Sequence, residues 1–335
     1  MQIKNVMVTG GGGFLGKAIV KKLLKKDYNV SSFSRNFYPE LDTMGVLQIQ
    51  GNLTDKTAVK KAFKGQDSIF HVASKVGMWG DFEKFYQVNV TGTKNVIFSC
   101  FENKVDQLIY TSSPSVVFDE HDKENIDETA PYSKSYMAPY PETKAMAEQS
   151  VKTAAKQGLS AIILRPHAIW GPEDNHLIPI LIKRANKLKR IGKKKCLMDS
   201  IYVDNAADAH IMASQKLFEN PLLSGNIYFI SQDEPVPIWE MVNALLDAAG
   251  LPPIKGHVSK RTAYIAGFIF EFLYNFFNIK KDPPITKMAV VELSTSHWFN
   301  ISKAKKDLGY HPKISTKEGL KILKQWFAKN GDKKR

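Results

Sequence analysis

Tyr140 and Lys144, four residues apart in the run Tyr140-Pro141-Glu142-Thr143-Lys144, are the residues here best suited to moving a proton. On a helix they share one face. Pro139 and Pro141 mark that helix's start, because proline is tolerated only in the first turn and holds its predecessor extended. An ammonium beside a phenol favours the phenolate, so the tyrosine exchanges a proton nearer neutrality than its free value of about 10 allows. That suits general acid–base work on an alcohol or a carbonyl. The motif alone is common. It gains weight from Thr111-Ser112-Ser113-Pro114-Ser115, hydroxyls expected at the C-terminal edge of a strand, where side chains face a ligand crevice.

A second constellation binds rather than reacts. Thr9-Gly10-Gly11-Gly12-Gly13-Phe14-Leu15-Gly16 follows a first strand and opens a first helix. Gly10 makes the tight turn, Gly13 lets the backbone approach a pyrophosphate and Gly16 lets helix and sheet pack closely. The N–H groups around Phe14 and Leu15 offer the helix's positive end to the phosphates. In NAD binders the second strand ends near an acidic residue that reads the ribose; here the chain runs Phe33-Ser34-Arg35-Asn36, with no acid. Ser34 and Arg35 are fitted to a 2′-phosphate, which favours NADP(H) and leaves NAD(H) open. Asn52 and Leu53 follow the third strand, where adenine would lie, and His71 and Ala73 end the fourth, beside the same cleft.

The elements that must position these residues alternate. Strands are expected at 6–9, 30–33, 46–50, 68–72, 108–111 and 161–164, with helices between them at 14–26 and 82–103. Such alternation implies right-handed crossovers and an α/β fold, a doubly wound parallel sheet of Rossmann type. Residues 1–172 form the expected dinucleotide-binding domain. Residues 173–330 mainly form a smaller substrate lobe, with part of 201–231 returning to the sheet. In this second half, helices are expected at 176–191, near Asp204 and at 238–249, and a strand at 226–230.

Composition bounds the rest. The chain has 335 residues, 43% hydrophobic and 24% charged, which excludes wholesale disorder. Two cysteines, Cys100 and Cys196, cannot make a disulfide framework, and no spacing resembles a metal site. The net charge of +14 resides largely in helix-face lysines such as Lys17, Lys21 and Lys22, and in the tail GDKKR. No nucleic-acid module accompanies it, so nucleic acid is not an expected partner. The first strand begins without a leader, and a cytoplasmic protein, free or at a membrane surface, is expected.

Together the motifs resemble the extended short-chain dehydrogenases/reductases over nearly the whole chain. Asn89-Val90-Thr91-Gly92-Thr93-Lys94-Asn95 and Leu164-Arg165-Pro166-His167-Ala168-Ile169-Trp170-Gly171-Pro172 carry the likeness. The latter run and Leu177 to Ile182 are similar to the 3β-hydroxysteroid dehydrogenase branch, sterol-4α-carboxylate 3-dehydrogenases included. The runs 34–41, 76–80, 228–231 and 296–299 resemble the bacterial 2-alkyl-3-oxoalkanoate reductases of long-chain olefin biosynthesis. The resemblance implies that Tyr140 is the acid/base and that Lys144 binds the ribose and lowers the phenol's pKa. It implies that Ser113, with Ser112 one residue away, holds the substrate oxygen, and that Pro166 and His167 line the nicotinamide end. Asn52 stands where many relatives have aspartate, which puts the adenine contact in doubt. The implied reaction interconverts a 3-oxo and a 3-hydroxy group on a large apolar substrate, most simply reduction of a 2-alkyl-3-oxoalkanoate. Alternatives are a hydroxysteroid or sterol-4α-carboxylate dehydrogenase, a nucleotide-sugar epimerase or dehydratase, and a non-catalytic dinucleotide sensor. A basic group, His167 or a lysine of the second lobe, is expected to meet the substrate carboxylate. A homodimer is expected from the resemblance and because closed pairs are the commonest assembly.

The stretch 263–279 has three clearly polar residues, Glu271, Asn275 and Asn278, on one helical stripe, and Lys260, Arg261, Lys280 and Lys281 flank it. A buried helix, a lid over an apolar substrate and a peripheral membrane contact all fit that pattern. Lys183 to Lys195 holds eight basic residues in thirteen, either a solvated helix end or a contact for anionic lipid or substrate. Asp204 is expected to cap a helix. Trp79 and Trp170 are candidates for the substrate pocket or for the core. His176, His210 and His297 stand isolated in sequence and receive no catalytic role.

Overall fold

The computed structural model describes residues 3–330; the expected basic tail lies outside them. Seven parallel strands form the main sheet: β1 (Asn5–Thr9), β2 (Asn29–Ser34), β3 (Leu47–Gln50), β4 (Ser68–His71), β5 (Gln107–Thr111), β6 (Ala161–Pro166) and β7 (Ile227–Ile230). Their order is β3-β2-β1-β4-β5-β6-β7. Chain order therefore reverses between β1 and β4, and a crevice opens beyond their carboxyl ends. Register aligns those ends, pairing Thr9 with Phe33 and His71, and Thr111 with Leu164. The strands read as apolar runs because helices cover both faces. α1 (Phe14–Leu24), α2 (Gly92–Asn103), α3 (Pro139–Lys156) and α4 (Val203–Glu219) supply that cover.

The long helix expected over 82–103 is interrupted. A helical turn at Phe82–Tyr86 passes through a π turn at Gln87–Thr91 before α2 begins. The π turn inserts a residue and turns Asn89 inward, a local adjustment often found at functional positions. The Asn89 amide exchanges bonds with Lys75, accepting from its amide at 2.7 Å and donating to its carbonyl at 3.0 Å. It also donates to the Thr143 hydroxyl at 3.0 Å, which ties the catalytic helix to the loop after β4.

The second lobe packs α5 (Ile238–Ala248) and one side of α6 (Lys260–Phe276) around Ile191, Cys196, Trp239, Val242, Leu246 and Val290. A four-stranded sheet joins it to the main domain, running Val236–Pro237, Leu197–Met198, His297–Phe299 and Lys123–Ile126. Three sequence expectations are corrected here. The helix expected at 176–191 spans only Leu177–Arg184; Arg184 then turns to the carbonyls of Pro283 and Pro284, and Arg190–Ile191 pairs as a strand with His257–Val258. Asp204 lies inside the first turn of α4, which has no side-chain cap, and so serves the helix dipole instead. Buried packing of 263–279 is overturned: only Ala263 and Gly267 of α6 are buried. Glu271, on the polar stripe, faces the body and pairs with Lys287, while the aromatics face outward.

Lysines of α1 are less free than a solvated face implies. Lys17 bonds Glu40 and lies 2.9 Å from Glu173, and Lys22 lies 2.8 Å from Asp208 on α4.

Candidate active site

The glycine loop forms an anion cradle. Gly13 caps α1 without a side-chain bond, no acid occupies the first turn, and the amides of Phe14, Leu15 and Gly16 have no acceptor among the described residues. Gly10 has φ +71°, and a Cβ there would sit 3.1 Å from the Cα of Ala73. A Cβ on Gly16 would approach the Gly10 carbonyl to 2.1 Å, so close packing is obligatory there. Gly13 meets only the Gly10 carbonyl, at 3.2 Å, which leaves its other side free for a phosphate. These features fit a dinucleotide pyrophosphate.

Gly12, passed over in the sequence, is covered by the ring of Tyr38, 2.2 Å from where its Cβ would be. Gln48 clamps Tyr38 by accepting from its amide at 2.8 Å and donating to its carbonyl at 3.0 Å. Arg35 extends into solvent with no side-chain partner among the described residues, and the Ser34 hydroxyl lies 3.4 Å from that of Ser32. The Asn52 carboxamide is exposed and accepts from the Thr54 amide at 3.2 Å. Leu53 is buried, and its carbonyl accepts from Asn95 at 2.8 Å.

His71 corrects an expectation. Its ring is buried between Thr9 and Thr93, at 2.8 and 3.0 Å, and burial beside the Lys144 charge lowers its pKa to about 3. The neutral imidazole is a strut inside the sheet, and the side chain is not offered to a cofactor. Ala73 reaches the crevice through its backbone, its amide donating to Thr9 Oγ1 at 3.2 Å.

Beyond β5 and at the start of α3 the reactive groups converge. Ala138 precedes the helix in extended conformation and Pro139 begins it, which sets Tyr140 on the first turn. The Tyr140 phenol is raised by burial, against which the Ser113 hydroxyl draws it back. Ser113 in turn accepts from the Ser115 amide at 3.2 Å and from the Ser115 hydroxyl at 2.8 Å, which leaves its own proton for Tyr140. The two adjacent serines have different partners. Ser112 is buried and donates to Glu148, away from the phenol. Glu148 is enclosed and also takes Arg165 at 2.5 and 3.0 Å and the Tyr132 hydroxyl at 2.7 Å.

Lys144 is also buried. Its ammonium donates to the Thr111 carbonyl at 2.6 Å and lies 4.5 Å from the centre of the Tyr110 ring. Burial, opposed by the Glu148 charge, lowers its pKa to about 7. His210 holds the same strand end by bonding the Thr111 hydroxyl at 2.9 Å. The Tyr140 phenol is raised by burial, drawn back by the Ser113 bond and pushed up by the Glu292 charge.

The second lobe meets the main sheet at the end of β6. At the end of β6, His167 holds Asp199 through Nδ1 at 2.5 Å and packs edge-on against His297 and Phe299, ring centres 5.0 Å apart in each case. His297 bonds the Glu292 carbonyl through Nε2 at 2.9 Å. Isolated in sequence, His297 packs in the fold against the rings of His167 and Phe118. Pro166 is buried where β6 ends. Trp170 is fully enclosed, donates to the Ser200 hydroxyl at 3.0 Å and packs against Tyr202; its place is the core, and the expected substrate contact is corrected. Trp79 is half-buried in the loop 76–80, between exposed Val76 and Met78. Lys193 and Lys194 of the basic run line a surface cleft with Asp122, Cys196 and Lys260, which does not include the catalytic groups. No group of histidine, cysteine and acidic side chains suited to a metal occurs among the described residues.

Residues 7–258 match the model of the 3-beta hydroxysteroid dehydrogenase/isomerase family. The chain is 43% identical over 333 residues to a 2-alkyl-3-oxoalkanoate reductase of Shewanella oneidensis, covering 96% of this chain and 86% of that one. It is 35% identical over 331 residues to a mouse sterol-4-alpha-carboxylate 3-dehydrogenase (decarboxylating), covering 97% and 91%. Among solved structures, gox2253 superposes with a TM-score of 0.79 at 24% identity, covering 98% of this chain and 99% of that one. The UDP-glucuronic acid 4-epimerase of Bacillus cereus, solved with NAD, does so with a TM-score of 0.74 at 21% identity, covering 97% and 99%. These two share the fold. The chain belongs to the 3-beta hydroxysteroid dehydrogenase/isomerase family and is an oxidoreductase that interconverts 3-oxo and 3-hydroxy groups.

Proposed function

We propose that the protein reduces the 3-oxo group of a 2-alkyl-3-oxoalkanoate, with NADP(H) as its cofactor. The observation that carries this reading is the placement of Ser113 just beyond β5 and of Tyr140 on the first turn of α3, with the buried Lys144 ammonium bonded to the Thr111 carbonyl at 2.6 Å. Bound in the crevice, a reduced nicotinamide dinucleotide supplies the hydride. Ser113 and Tyr140 hydrogen-bond the substrate carbonyl oxygen as charge develops on it, and Tyr140 delivers the proton that completes the alcohol. Lys144 stands one helical turn on and orients the ribose side of the crevice. Arg35 and Ser34 support the phosphorylated cofactor, because Arg35 is free and the nearby acid, Glu40, is committed to Lys17. His167, held by Asp199, meets the substrate carboxylate.

The mouse relative favours a second reading, oxidation of a 4-carboxy sterol, which is the same step run backwards. Oxidation of NADPH and of NADH, followed with purified protein and a long-chain 2-alkyl-3-oxo acid, separates the two. Fast NADPH consumption, lost in Tyr140→Phe, is expected, together with a raised KM for NADPH in Arg35→Ala. Absence of turnover with either cofactor sinks the reductive reading. Equal turnover of the acid and its methyl ester removes the carboxylate contact.

The substrate's apolarity matches a second feature. Phe268, Phe272, Phe276 and Phe277 of α6 and its end are each more than half exposed, between basic pairs Lys260/Arg261 and Lys280/Lys281. No helix among the described residues is long and apolar enough to cross a membrane. An apolar face flanked by cations is complementary to an anionic lipid surface, and we assign α6 to that contact.

A further inference from the structure

Glu148 holds more donors than its charge requires. Arg165 binds both of its oxygens, Nη2 donating to Oε1 at 2.5 Å and Nε to Oε2 at 3.0 Å, the two-pronged geometry that suits a buried carboxylate best. The Tyr132 hydroxyl adds a bond to Oε1 at 2.7 Å. The Ser112 hydroxyl, bonded to Oε2, is therefore not needed to neutralise the acid. What the bond does hold is the end of β5. Thr111 is fixed there by Lys144 on its carbonyl at 2.6 Å and by His210 on its hydroxyl at 2.9 Å, and the Ser112 amide donates to the Leu164 carbonyl at 2.6 Å. The backbone is still extended at Ser113, with φ −157° and ψ 145°, before Pro114 begins a 3₁₀ turn. Successive side chains of an extended backbone point to opposite sides. Ser112, bonded into the interior, thus turns Ser113 the other way, and Ser112 is enclosed while Ser113 is half-buried. Glu148 lies on α3 at the four-residue spacing that places it on the side of Lys144 and Tyr140. One rigid helix therefore carries both the tyrosine and the anchor of the serine strand.

We propose that Ser112 is a positioning residue, whose bond to Glu148 locks the end of β5 to α3 and fixes the direction in which Ser113 presents its hydroxyl. This rests on the reading of Ser113 as the group that holds the substrate oxygen. Because Tyr140 rides on the same helix as Glu148, the lock sets the serine hydroxyl and the phenol in one frame. A donor stabilises developing charge only when it is already aimed at the place the oxygen will occupy, and a misplacement of about 1 Å costs on the order of 10²-fold in rate. Without the Glu148 bond the strand end remains tethered at Thr111 and at the Ser112 amide. The fold then persists while the peptide leading into Ser113 gains freedom to rotate. The glycine loop, which cradles the dinucleotide, lies on another strand, so the loss falls on kcat and not on cofactor affinity.

Ser112→Ala removes the hydroxyl and keeps the backbone bonds. Its kcat is expected to fall about 10–100-fold, with an unchanged KM for the dinucleotide. Tyr132→Phe is the matched loss, since it takes a neutral donor from the other oxygen of the same carboxylate. It is expected to lower the melting temperature as Ser112→Ala does and to leave kcat unchanged. In a Ser113→Ala background, Ser112→Ala is expected to cost nothing further, because the lock then has no hydroxyl to aim. Rates are measured with the substrate that the wild type turns over, a 2-alkyl-3-oxo acid or a 4-carboxy sterol, so failure of the reductive reading leaves the comparison standing. A wild-type kcat in Ser112→Ala beside a slow Ser113→Ala overturns the proposal alone. So do additive losses in the double variant, or equal losses of kcat in Ser112→Ala and Tyr132→Phe, which is what a purely structural role produces. A wild-type kcat in Ser113→Ala overturns the reading of Ser113, and the proposal with it.

Discussion

The cleft and the outer face of α6 invert the usual distribution of polarity, and they do so by different physics. In and around the main sheet the protein buries Lys144, Glu148, Arg165, His71, His210 and His297. Each is made tolerable: Glu148 and Arg165 form a two-pronged pair, Lys144 bonds a carbonyl, and burial keeps His71, His210 and His297 neutral. On α6 the phenylalanines 268, 272 and 276 stay more than half exposed. Of the polar stripe, Glu271 faces the body while Asn275 and Asn278 stay at the surface, and Gly267 lets the helix sit against Thr286 and Lys287. The buried charges thus find most of their partners inside the protein, while a large exposed aromatic face is the kind of surface that contacts with another surface would cover.

Four experiments test that contrast, in decreasing order of effect. Tyr140→Phe removes the proton donor and nothing that holds the fold; kcat is expected to drop by about 10²–10⁴, with an unchanged melting temperature. A large loss of stability would instead place Tyr140 among the structural groups. Glu148→Gln leaves Arg165 buried with half a partner, and urea unfolding should report a cost of about 3–5 kcal/mol. An unaffected urea midpoint would mean that water reaches this pair.

Acid reads the histidines together. Their folded pKa values are lowered to about 3 for His71 and about 4 for His210 and His297, from an ordinary 6.5. Between those limits the unfolded chain binds more protons, so stability falls as pH drops from about 6.5 toward 4, by up to about 1.4 kcal/mol per pH unit for each histidine. A flat profile across that window breaks the account of the interior. The smallest effect on stability belongs to α6. Changing Phe268, Phe272 and Phe276 together to Ser should alter unfolding by no more than about 0.5 kcal/mol per site. Binding to anionic vesicles should nevertheless fall at least tenfold, as each buried phenylalanine contributes about 1.5–3 kcal/mol. A marked loss of stability, or vesicle binding that survives, would show that the face is covered in another way.

Much of this was legible in the linear chain because it is governed by local rules. The Gly10–Gly13–Gly16 spacing requires a turn and a close approach whatever surrounds it, and the structure shows both, at Gly10 by its positive φ and at Gly16 by its contact with Gly10. Strand alternation is likewise a local pattern, and the six early strands fall within a residue or two of expectation. Tyr140 and Lys144 are linked by helix geometry alone. The π turn was not legible, because the periodicity of 82–103 survives one inserted residue; nor was the end of the helix at Arg184, which depends on carbonyls a hundred residues away.

What the sequence by itself determined is thus the doubly wound fold, the phosphate cradle and the acid–base helix, each specified by residues within one turn or one strand of one another. Tertiary structure alone decided the rest. It gave Ser112 to Glu148 and the adjacent Ser113 to Ser115, because the path of α3 sets their surroundings. It packed His297 on His167, and turned α6 aromatic side outward. Hydropathy is the same for a helix buried in a lobe and for one laid on a lipid surface. The side it presents is settled by what the rest of the molecule packs against it.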